Sequence, residues 1–292
     1  MGRVWIDTHG HLAAGFQFSE LDKFAGLAPG IKIWLHAIEG LKNSARHSGN
    51  RMVLEVARRY SGLFESFAFV DLSGKPEQID RYADEGFTGL KFIYPPDDYD
   101  SLKFMPFYER ANANGMPCFF HTGIIARRGS GDFTLPGRNG SPGRMKPSML
   151  DTIAAEFPEL KLISGHMGVP WCNEMRESLW FYPNIRCSVC GLSDYRWLMD
   201  HLGDAAEDGT PFVRKMMFAS DAAYGLPGVF ERLERRASFF RTFFAEAGAM
   251  SGWRFGVEDF MHGNAEKLIP ERTNQLETED RDQRRHCQKS AE

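Results

Sequence analysis

The stretch Val4-Trp5-Ile6-Asp7-Thr8-His9-Gly10-His11 decides how this chain reads. Its opening is apolar and describes a buried strand, and its end carries two imidazoles two residues apart. The period-2 geometry of a strand puts those imidazoles on one side. Two same-facing histidines are half of a metal site, or else a pair that only hydrogen-bonds at a strand end. Asp7, two residues before His9, shares their face and reads as a buried support rather than a ligand.

Further apolar, β-branched or aromatic runs follow, with helix-like segments between them, which is the pattern of repeated βα units. They are Ile31 to His36, Phe67 to Asp71, Phe87 to Ile93, Pro117 to His121, Leu160 to His166, Ile185 to Val189 and Met216 to Asp221. Eight such strands with seven helical crossovers predict an α/β fold, a closed (β/α)8 TIM barrel, because an open sheet of that size would leave two long edges. Gly228 to Gly248 reads as the eighth helix, with Phe239, Phe240, Phe243 and Phe244 as a packing stripe. An extra C-terminal helix around Asn264 to Leu268 reads as a lid on the barrel's underside or flank. One domain over residues 1–270 is expected. The charged segment 271–292 has almost no apolar residues and reads as a disordered or loosely docked tail.

Composition narrows the function classes. The 292 residues are 42% apolar, and no segment approaches the ~18 uninterrupted apolar residues of a membrane helix. The N-terminus enters a strand with no basic and apolar leader, so a cytoplasmic protein is expected. With 35 basic and 39 acidic residues and a net charge of −4, no basic field is present to attract nucleic acid. The expected partner is a small molecule, with a homo-oligomer as a further expectation. Five scattered cysteines suit a reducing compartment. Cys187 and Cys190 form a Cys-x-x-Cys, but a zinc ribbon needs a second pair and a thioredoxin-type pair opens a helix, so neither reading is favoured.

In a barrel the chemistry sits at the C-terminal ends of the strands. Those ends here are His9 and His11, His36, Asp71, Lys91, His121, His166 and Asp221. Any one of these histidines alone is better explained as a satisfied core residue. Together, as strand-end residues drawn from only nine histidines in the chain, they favour a metal centre.

The opening Ile6-Asp7-Thr8-His9-Gly10-His11, the strand ends His121-Thr122-Gly123 and Ser164-Gly165-His166-Met167-Gly168, and Ser220-Asp221 followed by Gly263-Asn264-Ala265 resemble the amidohydrolase superfamily. Within it they resemble the amidohydrolase-related branch, which contains metal-dependent hydrolases, non-oxidative decarboxylases and hydratases. The resemblance spans roughly residues 4 to 270. It implies that His9, His11, His121 and Asp221 hold a divalent metal, usually Zn²⁺, and that His166 is a ligand to a second metal or, as favoured here, a base and electrophile beside the first. Lys91 closes the fourth strand where binuclear relatives carry a carbamylated lysine. One ion is expected, with an unmodified Lys91 that pairs with Asp221 or with a substrate carboxylate; two ions are expected if Lys91 is carbamylated.

The ligand chemistry agrees with that implication. Neutral imidazoles and a carboxylate suit Zn²⁺ and leave room for a water whose pKa falls to about 7. After the fifth strand comes a long Gly-rich segment carrying Arg127, Arg128, Arg138 and Arg144. It is either a plain surface loop or, beside a metal, a source of bidentate donors for an anionic substrate. His36 and Asp71 are expected to line the pocket or to hydrogen-bond, whereas His47, His201 and His286 are expected to face solvent. The expected function is a metal-dependent hydrolase that uses activated water on a carboxylate-bearing lactone, ester or amide. Asp221 takes the proton, and His166 with the metal stabilises the oxyanion. A decarboxylase or hydratase of an unsaturated or aromatic acid on the same site, and an inactive barrel acting as a binding protein, are the alternatives.

Overall fold

The fold turns on strand β1 (Trp5–Leu12), every residue of which is buried. The structure is a computed structural model that describes residues 4–39, 47–124, 142–191, 193, 195–198, 200, 213–251 and 256–269. Strands and helices alternate along the chain: α1 (Phe18–Leu27), β2 (Ile31–His36), α2 (Asn50–Arg59), β3 (Phe64–Phe69), α3 (Gln78–Glu85) and β4 (Gly89–Phe92). Then come α4 (Met105–Ala113), β5 (Cys118–Phe120), α5 (Met149–Glu156), β6 (Leu162–Gly165), α6 (Cys172–Phe181), β7 (Ile185–Val189), β8 (Met216–Phe218) and β9 (Ala222–Tyr224). All neighbouring strands pair in parallel, in the order β8-β7-β6-β5-β4-β3-β2-β1-β9.

The two ends of that order are two pieces of one chain run, and this closes the TIM barrel. The eighth run, expected as one strand from Met216 to Asp221, is split: β8 pairs with β7, whereas β9 pairs with β1 across Gly10, His11 and Leu12. The split falls where Asp221 adopts left-handed backbone, φ +57°. Hydrogen bonds from Thr8 Oγ1 to the Phe218 carbonyl (2.9 Å) and from the Asp221 amide to the His9 carbonyl (2.7 Å) span the seam.

β1 itself runs through both histidines to Leu12. Its register on β2 shifts between Asp7 and Gly10, so that three steps on β1 match two on β2. Such a bulge re-aims a side chain locally, and it falls at His9. β3 begins and ends earlier than expected. Asp71 therefore lies beyond it, where its Oδ1 accepts the Ser73 amide and its own amide donates to Gln78. It orders the approach to α3.

Inside the barrel, Ile6, Trp34, Phe67, Phe119, Ile163 and Met217, one each from β1, β2, β3, β5, β6 and β8, pack into a layer closed below by Ala265 and Leu268. The short helix Asn264–Glu266 is thus the expected lid on the underside. Asn264 Nδ2 donates to the Met216 carbonyl (2.9 Å), and Lys161 Nζ to that of Leu268 (2.8 Å). Outside, the helices cover the sheet. In the long helix Val229–Ser251, Phe240 and Phe244 are buried against Phe260, while Phe239 is turned outward. The tail 271–292, His201 and His286 lie outside the described residues.

Candidate metal centre

Three side chains converge above the aromatic layer. His11 Nε2 lies 3.4 Å, and His9 Nε2 3.8 Å, from Asp221 Oδ1. Each ring's second nitrogen has its own partner. His11 Nδ1 is 2.9 Å from the His36 carbonyl, which can only accept, so Nδ1 carries a proton and Nε2 is the nitrogen turned to Asp221. His9 Nδ1 is 3.2 Å from Cys190 Sγ, and its Nε2 is 3.0 Å from Lys91 Nζ. Lys91 is wholly buried, with Nζ 4.1 Å from the centre of the Phe119 ring.

His166, beyond the end of β6, directs Nδ1 to the Cys190 carbonyl at 3.2 Å, and its ring centre is 5.0 Å from that of His9. His166 and Met167 both take left-handed backbone, φ +59° and +55°, as does Asp221. Non-glycine residues in that region cost of order 1–3 kcal/mol each and cluster at functional sites. Gly191, φ +52°, is needed for space as well. A Cβ there would meet Asp221 Oδ2 at 2.8 Å and His166 Nδ1 at 3.2 Å.

The electrostatics suit cation binding. Burial, with neighbouring positive charge from Lys91, holds His9, His36 and His121 well below the ordinary imidazole range, and burial lowers His166 too. Neutral imidazoles are the ligand form. Burial brings Lys91 down to about 7, against the opposing pull of Asp221 and Cys190. Burial also acts to raise Asp221, but the His11 hydrogen bond and the charges of His166, His11 and Lys91 outweigh it and hold the carboxyl well below the usual carboxylate range. Its side chain is still 34% exposed, so an ionised carboxylate faces the mouth of the barrel. Two imidazole Nε2 atoms and an ionised carboxylate form a donor set that fits a divalent cation.

Among the described residues, two groups bring three ligand atoms within 4.8 Å of one another: His9, His11 and Asp221, and His9, His166 and Cys190. His121 belongs to neither group. Its ring centre lies 4.6 Å from that of His166, and its Nε2 is 3.3 Å from the Ile124 carbonyl. His36 is fully buried beneath His9, with Nε2 3.0 Å from the Thr8 carbonyl. Arg144 donates to the Pro96 carbonyl (2.5 Å), tying its segment to the loop after β4. Arg127, Arg128 and Arg138 lie outside the described residues.

Three features were missed by the reading of the sequence alone. His47 does not stand in solvent: it bridges to Ala13, and its ring centre is 4.6 Å from that of His11, at the rim of the site. Nothing local marks it. Asp7 is the expected support, but its partners come from β8–β9: the Ser220 amide (2.8 Å), the Ser220 hydroxyl and the Tyr224 hydroxyl (both 2.5 Å). Cys190 follows β7 as His121 follows β5 and His166 follows β6. That position was the available signal, obscured by treating Cys187 and Cys190 as a pair.

Comparison with known proteins follows the same lines. The amidohydrolase family model matches residues 6–270. No curated protein sequence matches the chain. Among solved structures, 2,6-dihydroxybenzoate decarboxylase from Rhizobium superposes with a TM-score of 0.57 at 16% identity, covering 91% of this chain and 98% of its own. A probable 2-pyrone-4,6-dicarboxylic acid hydrolase from Acinetobacter baumannii gives 0.54 at 13% identity, with 91% and 99% covered. A dihydroxybenzoic acid decarboxylase from Polaromonas, solved with bound manganese and an inhibitor, gives 0.56 at 15% identity, with 91% and 97% covered. With the family model spanning nearly all of the barrel and the strand-end residues in place, this chain belongs to the amidohydrolase family.

Proposed function

We propose that this chain is a metal-dependent hydrolase of a small carboxylate-bearing lactone, ester or amide, with His9, His11 and Asp221, joined by His121, as the ligands. The observation that carries this reading is Asp221, a carboxylate kept ionised beside the Nε2 atoms of His9 and His11 yet open to water. A divalent cation bound there, zinc being the best match to the donors, supplies Lewis acidity and lowers the pKa of water. Manganese in a solved relative of this fold supports a divalent ion.

The chain's own residues then divide the work. The Asp221 carboxylate accepts the proton of the attacking water. His166, its Nδ1–H held by the Cys190 carbonyl, presents an Nε2 lone pair, so it takes over that same proton from Asp221 and delivers it to the leaving group. Lys91 stays an unmodified amine against His9, with one cation per chain. Two cations with a bicarbonate requirement would instead mark it as carbamylated. Arg127, Arg128 and Arg144 supply the donors for the substrate carboxylate, and His36 supports the pocket floor.

The test is a panel of lactones, esters and amides with and without a carboxylate. Carboxylated members turn over faster, and Arg127→Ala or Arg128→Ala raises KM about tenfold, the size of a lost charged hydrogen bond. Equal rates and unchanged KM would reject it. A second reading, non-oxidative decarboxylation of an aromatic acid, draws support from the decarboxylases among the solved structures of this fold. CO₂ release from aromatic carboxylates with no hydrolysis of lactones would replace the first reading with the second.

A further inference from the structure

We propose that Cys190 is the positioning residue of the candidate metal centre: its sulfur accepts the Nδ1–H of His9 and its carbonyl accepts the Nδ1–H of His166, turning the Nε2 atoms of both rings inward. The inference rests on the reading that His9, His11 and Asp221 hold a cation.

Strand periodicity sets up the arrangement. Cys187 and Cys190 are three residues apart, an odd interval that places them on opposite faces. Cys187 joins the outer core, whereas Ser188 and Cys190 face the barrel interior, with Ser188 Oγ 3.3 Å from Thr8 Oγ1. Cys190 is fully buried. The turn that follows pins it: its amide donates to Ser193 Oγ (2.7 Å), and its carbonyl accepts from Ser193 N and Oγ (both 2.8 Å). The sulfur is therefore fixed, 3.2 Å from His9 Nδ1 and 3.5 Å from His166 Nδ1. Because Lys91 Nζ faces His9 Nε2, the sulfur side of the ring is the protonated one, and sulfur acts there as an acceptor. Metal-bound histidines generally donate their other N–H to a carboxylate, carbonyl or water, and loss of that partner costs 10- to 100-fold in metal affinity. Here a sulfur takes that place for His9, while His11 uses the His36 carbonyl.

The experiment measures the affinity of the full chain for Mn²⁺ alone by competition with a chromogenic chelator, with thermal unfolding to confirm folding. Cys190→Ala should bind Mn²⁺ about 10- to 100-fold more weakly than the unsubstituted chain. Cys190→Ser, whose shorter hydroxyl can still accept, should fall between them. The cobalt(II)-loaded protein should show no thiolate-to-metal charge-transfer absorption. Equal affinity in both variants, or in Cys190→Ser alone should Cys190→Ala not fold, overturns the proposal. So does a charge-transfer band that disappears in Cys190→Ser, which would make the sulfur a ligand. An unsubstituted chain that binds no Mn²⁺, zinc or cobalt overturns the cation reading itself and this one with it.

Discussion

Asp221 carries three duties at one residue. Its left-handed backbone stands between β8 and β9, its amide caps the His9 carbonyl, and its carboxylate faces His9 and His11. Asp221→Asn keeps the size of the side chain and removes the charge, so turnover should fall by at least about 10³-fold, in the range that loss of a proton acceptor and a ligand together imply. Circular dichroism should remain unchanged. A variant within tenfold of the parent rate would show that the base lies elsewhere. Gly191→Ala is a second test at this scale, because the added methyl would press on Asp221 Oδ2 and His166 Nδ1. It should reduce kcat while leaving the protein folded, and an unaltered kcat would mean that the two groups can give way freely. At this scale the sequence was informative where chemistry repeats at strand ends: His9, His11 and Asp221 come together and His166 lies beside them, while His121 joins neither ligand group. His47 and Tyr224 were hidden because only the fold brings them to the site.

Among the elements, the division of the eighth run into β8 and β9 closes the barrel and forms the site at once. Asp7 secures that seam with four donors on one buried carboxylate: the amides of His9 and Ser220 and the hydroxyls of Ser220 and Tyr224. Tyr224→Phe removes one of them and should lower stability by about 1.5–3 kcal/mol, the range for a hydrogen bond to a charged group. Denaturant unfolding measures this, and a change below about 0.5 kcal/mol would mean that water replaces the hydroxyl. Alternation of apolar runs with helical spacing was enough to expect eight βα units, because parallel strands buried on both faces read as continuous apolar stretches. The bulge at His9 and the break at Asp221 were not legible. The bulge depends on the pairing with β2, and the break on hydrogen bonds to Thr8 and His9 from more than 200 positions away, and no local pattern encodes either.

For the whole molecule, the buried bases tie stability to pH. His9, His36, His121 and His166 are held below the 6.5 of an unfolded imidazole. As pH falls through 6.5 the unfolded chain binds protons that the folded chain refuses, so stability is lost on acidification. Lys91, lowered to about 7 from 10.5, acts in the same sense between those values, while Asp7, raised by burial, opposes and is outnumbered. The metal-free protein should therefore unfold at a lower temperature at pH 5.5 than at pH 8, and a flat or inverted profile would contradict the neutral, buried histidines. The most direct measurement is the cation itself. Chelator-stripped protein titrated with Zn²⁺ or Mn²⁺ should take up about one equivalent and regain turnover, whereas His11→Ala and Asp221→Ala should bind at least about tenfold more weakly. Undiminished binding in those variants, or full turnover by the stripped protein, would contradict a catalytic cation held by His9, His11 and Asp221.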